Sequence, residues 1–144
     1  MTTKIENEAL KEKAPQSLED FLLSNPITLE EEVKISDRIP FKFAIKAMDN
    51  GVYTSLQQKH TKMGRTGKMS FNSMGFNVGL ILECCTVPNF KDAGFVKKSG
   101  CVTPEEAVKK MLLPGEIVNL AGFIQELSGF DKDTEELKEE VKNS

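Results

Sequence analysis

The sequence predicts an α+β protein: a mostly helical single domain with an N-terminal antiparallel β-hairpin packed on a helical bundle. Three observations predict it. Residues 31 to 48 alternate apolar and polar side chains with period two. Phe71, Met74, Val78, Ile81, Leu82 and Cys85 recur at helical spacing in the most apolar stretch of the chain. Residues 103 to 130 carry the punctuation of two successive capped helices. A chain of 144 residues buries about two-thirds of its unfolded surface, so a core can form without disulfides or a metal. We divide the chain into a flexible N-terminal arm over 1–16, a single α+β domain over 17–130 and an acidic C-terminal tail over 131–144.

The arm alternates charges with no apolar period and ends in Ala14-Pro15. Ser17-Leu18-Glu19-Asp20 then offers a capping hydroxyl with an acid three residues on, and Leu18, Phe21 and Leu22 share one face of a short helix stopped by Asn25-Pro26. This helix can dock on the core or on a partner. Val33 and Ile35 alternate against charged neighbours, then Phe41, Phe43, Ile45 and Ala47 alternate against Lys42, Ala44, Lys46 and Met48. Two strands follow from this, with a turn at Asp37-Arg38-Ile39-Pro40. An isolated hairpin is marginal in water, so helices must cover its apolar face.

Asp49 or Asn50 caps the next helix, which carries Val52, Tyr53 and Leu56 to about His60. Residues 61 to 70 hold two glycines and no apolar period, which reads as a mobile loop. The apolar helix from Phe71 should be central and buried. Its Gly75 and Gly79 lie one turn apart and can admit close approach by another element. After Pro88 a short helix carrying Phe90 or Phe95 fits before Gly100. Thr103-Pro104-Glu105-Glu106 opens a helix through Leu112, and Pro114 with Glu116 opens another whose Ile117, Leu120, Ala121, Ile124 and Leu127 share a face. Gly129 is placed for a left-handed terminus, with Phe130 folding back. In the tail Leu137 and Val141 are the only large apolar residues. The tail is either solvated or ordered by a partner.

Charge and composition narrow the function classes. The net charge of −3 opposes binding to phosphate backbones and anionic lipid. The opening residues lack the apolar core of a signal peptide, and no apolar run is long enough to span a bilayer, so a cytoplasmic location without membrane contact is expected. Catalysis needs a titratable group beside an activating partner, and the single histidine, His60, lies among cations as a solvated surface residue. Cys84 and Cys85 fall on the apolar helix, where a thiolate is poorly solvated, and Cys101 stands alone. Paired zinc-ligand spacing is missing. Gly64 to Lys68 has glycines too close for a phosphate-binding loop, and Met69 stands where Ser or Thr belongs. These readings point to no enzyme, no metal and no cofactor.

One electrostatic feature remains. Residues 51 to 82 contain no acid, while Lys59, Lys62, Arg65 and Lys68 cluster in or beside the 61–70 loop. This patch can attract an acidic partner or the acidic tail. Base-stacking aromatics are not interleaved with it, which makes nucleic acid an unfavoured ligand.

The order ECCTVPNFKDAGF, then TPEEAVKKMLLPGEIVNLAGFIQELSGFD, with SLEDFLL and VKISDRIPFKFAIKAM upstream, resembles the XkdN-like tail assembly chaperones of contractile-tailed phages and phage-derived tail elements. The likeness covers about residues 17 to 131, and the LLPGE turn leading into a helix ending in SGFD is its most distinctive part. The resemblance implies a non-enzymatic assembly factor in the bacterial host cytoplasm. Such a factor binds the tape measure protein, keeps it soluble, helps tube subunits polymerise and is absent from the finished tail. The tail tube protein is a second candidate partner. A long helical rod exposes apolar stripes until the tube encloses it, and a soluble acidic protein can cover them transiently. Leu18, Phe21, Leu22, Leu137 and Val141 are the expected partner contacts, since they are apolar and lie outside the strongly patterned core, together with a face of the helices from 104 to 128. The alternatives are a small structural tail component and a nucleic-acid-binding phage regulator using the 59–68 basic loop.

Overall fold

The computed structural model describes residues 17–130. The arm over 1–16 and the tail over 131–144, with Leu137 and Val141, lie outside the described residues. Six helices and five short strands run in the order α1 (Leu18–Ser24), β1 (Glu30–Val33), β2 (Phe43–Lys46), α2 (Asn50–Lys59), β3 (Thr61–Met63), β4 (Met69–Phe71), α3 (Ser73–Cys84), β5 (Cys85–Val87), α4 (Ala93–Lys98), α5 (Pro104–Met111) and α6 (Pro114–Leu127), counted among the described residues. The fold is α+β, as the sequence predicts.

Helix α3 is the axis of the core. Phe76, Val78, Leu80, Ile81, Leu82 and Cys84 are buried around most of its circumference, the signature of a helix enclosed by protein. Its strongest partner is α6, which contributes Ile117, Leu120, Ala121 and Ile124. Each fully buried Leu or Ile here stabilises the fold by about 1.5–3 kcal/mol. Helices α2 and α5 cover other sides through Leu56, Ala107 and Val108.

The hairpin forms an antiparallel pair with Val33 opposite Phe43 and Glu30 opposite Lys46. Phe43 and Ile45 face the core, as their alternation demands. Phe41 does not: it is 76% exposed, because the strand starts only at Phe43. The alternation also breaks after Lys46, where the chain leaves the sheet and Met48 becomes buried in place of Ala47. A third strand, β5, pairs antiparallel with β2 and makes the sheet order β1-β2-β5. Cys85 therefore belongs to a strand, where it is buried opposite Ile45. Three residues starting directly at a helix end leave too little pattern to announce a strand.

The expected mobile loop is a β-ribbon instead. β3 and β4 pair antiparallel as Thr61↔Phe71, Lys62↔Ser70 and Met63↔Met69. Gly64 to Lys68 is its turn, closed by the Gly64 N–H donating to the Lys68 carbonyl at 2.7 Å, with Gly67 at φ +80°. Phe71 consequently precedes α3, and Asn72 caps that helix by accepting from the Gly75 N–H.

The helical pair matches its sequence punctuation. The Thr103 hydroxyl accepts from the Glu106 N–H, and Pro104 opens α5. At the far end of α6, Gly129 has φ +97°, its N–H bonds the Glu126 carbonyl, and the Phe130 N–H bonds the Gln125 carbonyl. That doubled reversal is a Schellman turn. It lays Phe130 on Tyr53, ring centroids 5.4 Å apart.

Candidate partner-binding surface

Cys84, Cys85, His60 and Glu116 are held in structural roles. Burial pushes the Cys84 thiol up to about 11 and the Cys85 thiol up to about 12, so neither supplies a thiolate near neutrality. His60 is half-buried, not solvated as expected. It packs over the glycine track of α3: a Cβ on Gly75 would sit 2.6 Å from His60 Nδ1, and one on Gly79 would sit 2.6 Å from Leu56 Cδ2. Burial first, and Lys59 second, hold the imidazole below its ordinary value. The cleft beside it, ≈ 360 Å³, sets Lys59, Lys91 and Lys109 near Glu83 and Glu105, with Lys91 bonded to Glu83 at 2.7 Å. Among the described residues no group of three or more His, Cys, Asp or Glu is arranged to hold a metal ion.

Among the described residues the most perturbed acid is Glu116, buried at the start of α6. Its carboxylate accepts from Arg38 Nε at 2.9 Å and Nη2 at 2.6 Å, from the Ser36 hydroxyl at 2.6 Å and from the Leu113 N–H at 2.8 Å. These bonds, Arg38 foremost, bring it down to about 2. Arg38 also donates to the Met111 carbonyl. Sequence reading treats Glu116 only as an α6 opener and Arg38 only as a turn residue. The SDR and LLPGE segments hold the two ends of this node, and local spacing cannot reveal that they meet.

Two apolar surfaces remain. The first is α1, capped by the Ser17 hydroxyl at 3.1 Å from the Asp20 N–H, yet with none of its residues buried. Leu18 is 74%, Phe21 46%, Leu22 62% and Leu23 76% exposed, and Ile27 and Leu29 continue the exposed apolar run toward β1. Of the two fates open to this helix, docking on the core is not the one the described residues show. The second is the β3–β4 ribbon. Its pairing puts Met63, Met69 and Phe71 on one face and Lys62 and Ser70 on the other. All five are exposed.

The α5–α6 pair offers less than expected. Its apolar stripe is spent on the core, and the outward side of α5 shows Glu105, Glu106, Lys109 and Lys110. Val118 and Leu113 are exposed large apolar residues on or beside α6. Leu18, Phe21 and Leu22 are brought together on one element, and the structure gives no view of Leu137 or Val141. Among the described residues no helix is long and apolar enough to cross a membrane.

Comparison with known proteins agrees with this architecture. The chain is 30% identical over 135 residues to the protein YqbN of Bacillus subtilis (strain 168), an alignment covering 85% of this chain and 91% of that one. The crystal structure of the protein YqbN superposes with a TM-score of 0.63 over 81% of this chain and 99% of that chain, at 24% identity, a likeness of fold. Residues 18–142 match the model of the phage XkdN-like tail assembly chaperone proteins, a span that includes α1, the Arg38–Glu116 node and the Schellman turn. This protein therefore belongs to the phage XkdN-like tail assembly chaperone family.

Proposed function

We propose that the protein binds the phage tape measure protein in the cytoplasm of the bacterial host, keeps it soluble while tube subunits polymerise around it, and leaves before the tail is finished. The observation that carries this reading is α1: a formed and capped helix whose Leu18, Phe21, Leu22 and Leu23 all stay in solvent. An isolated helix of seven residues is far below the length that is stable alone. An apolar face held out from the body in this way suits a second polypeptide that contributes an apolar stripe of its own. Leu18, Phe21 and Leu22 are the proposed contacts on the body, and Leu137 and Val141 are proposed to add to them. The protein acts by covering surface, with no bond made or broken and no cofactor.

Co-expression with the tape measure protein tests the reading. The wild type should raise the soluble fraction of that rod and co-purify with it. Leu18→Ser/Phe21→Ser/Leu22→Ser should abolish co-purification while leaving the thermal melt within about 0.5 kcal/mol of wild type, since none of the three side chains is buried. A rod that stays soluble and assembles normally without this protein removes the proposal. Mass spectrometry of purified tails separates an assembly factor from a structural tail component, which would remain in the particle.

A further inference from the structure

Two exposed surfaces of the described chain carry opposite charge. Residues 17–32 hold Glu19, Asp20, Glu30, Glu31 and Glu32 and no Lys or Arg. Every residue of that span is exposed, including the apolar Leu18, Phe21, Leu22, Leu23, Ile27 and Leu29. Its strand β1 is an edge of the three-stranded sheet, paired only with β2. Residues 51–82, by contrast, hold four cations and no acid. Lys59 ends α2, Lys62 lies on the polar face of the β3–β4 ribbon, and Arg65 and Lys68 stand in its turn. The opposite face of the ribbon is apolar, with Met63 70% exposed, Met69 66% and Phe71 45%. That face runs into an open groove of ≈ 260 Å³ lined by Tyr53, Gln57, Phe71, Phe76 and Phe130. None of the charged side chains named on either surface forms an ion pair among the described residues.

We infer that the α1–β1 segment of one copy of this protein docks on the β3–β4 ribbon of a second copy. Charge selects this occupant. Segment on segment sets acid against acid, and ribbon on ribbon sets cation against cation, and both arrangements repel. Of the three pairings, only segment on ribbon joins opposite signs. Neither surface covers the other within one chain, since the apolar residues of both are exposed. The cations steer and orient the approach, an effect that reaches about 8 Å at physiological salt and does not require Lys62 to line the apolar face. The apolar residues make the contact itself: Leu18, Phe21 and Leu22 of one copy meet Met63, Met69 and Phe71 of the other, with the aromatic-walled groove beside them. Docking also relieves the weakness of each surface. A helix of seven residues is too short to be stable alone, and a two-stranded ribbon is marginal in water. The inference stands apart from the tape measure reading: in the free protein a second copy covers α1, and any other ligand of α1 must displace it.

Sedimentation velocity of the full-length protein, with no other protein present, tests this across the micromolar to millimolar range. The wild type should self-associate as its concentration rises, and salt near 1 M, where the Debye length is about 3 Å, should weaken the association. Met63→Ser/Met69→Ser and Leu18→Ser/Phe21→Ser/Leu22→Ser should each need about tenfold higher concentration to associate. All five side chains are exposed, so circular dichroism should show both variants folded. Mixed at equal concentration, the two variants should form a heterodimer, because one supplies an intact segment and the other an intact ribbon. Arg65→Glu/Lys68→Glu should also weaken association about tenfold, and adding Glu31→Lys/Glu32→Lys to the same chain should restore it. A wild type that stays monomeric throughout overturns the inference and leaves both surfaces to an external partner. A ribbon variant that self-associates like the wild type overturns it too, as does a mixture that yields no heterodimer. None of these results bears on the tape measure proposal, which co-expression decides.

Discussion

Glu116 shows how one carboxylate can organise distant chain segments. Its value is held at about 2 against an ordinary 4.5, mainly by Arg38. An acid depressed in the folded state contributes stability that is fully present above 4.5 and is lost as pH falls toward about 2. Thermal melts across that window should therefore show an acid limb, and Glu116→Gln should flatten it while melting lower than wild type at neutral pH. The glutamine keeps the shape but gives up the charge that Arg38 faces, leaving a cation in a site built for a pair. Gly79 makes a different residue-scale point. A Cβ there meets the buried Leu56 side chain at 2.6 Å, so overpacking outweighs the gain in helix propensity. Gly79→Ala should destabilise the protein by about 1 kcal/mol in denaturant titration.

At the scale of elements, what could be read from the sequence was whatever local chemistry decides. The Ser17, Asp49, Thr103 and Gly129 termini are all found where side-chain type and spacing place them, since caps are settled within four residues. The β3–β4 ribbon escapes the same reading because none of its residues is buried, so burial leaves no alternation in its sequence. β5 escapes because its partner Ala44 lies far back in the chain. The candidate surface is half legible: the spacing of Leu18, Phe21 and Leu22 marks an apolar face, but whether the body covers it is a tertiary matter. Helix α6 also carries an unfinished cap. Glu116 accepts from the Leu113 N–H, while Leu113, 55% exposed, has no hydroxyl to return the bond. Leu113→Ser completes the capping box and should stabilise the fold by about 1 kcal/mol in the same titration.

At the scale of the whole molecule, α6 is fastened to the segments around β1 and β2, far back in the chain. Ser36 and Arg38 bond Glu116, the Ile35 carbonyl accepts from Asn119 Nδ2 at 3.1 Å, and the Met48 N–H donates to the Ser128 hydroxyl at 2.9 Å. These bonds bridge 78 to 84 positions. Loop closure on that scale must precede any reward from the contacts, which slows folding relative to a bundle of neighbouring helices. The consequence falls on synthesis. A nascent chain displayed on the ribosome only as far as Met111 has neither α6 to fill the core beside α3 nor a carboxylate for Arg38, and it should be digested rapidly by added protease. One displayed through Phe130 should resist. Protease resistance is thus expected to wait until Ser128 has emerged to bond Met48.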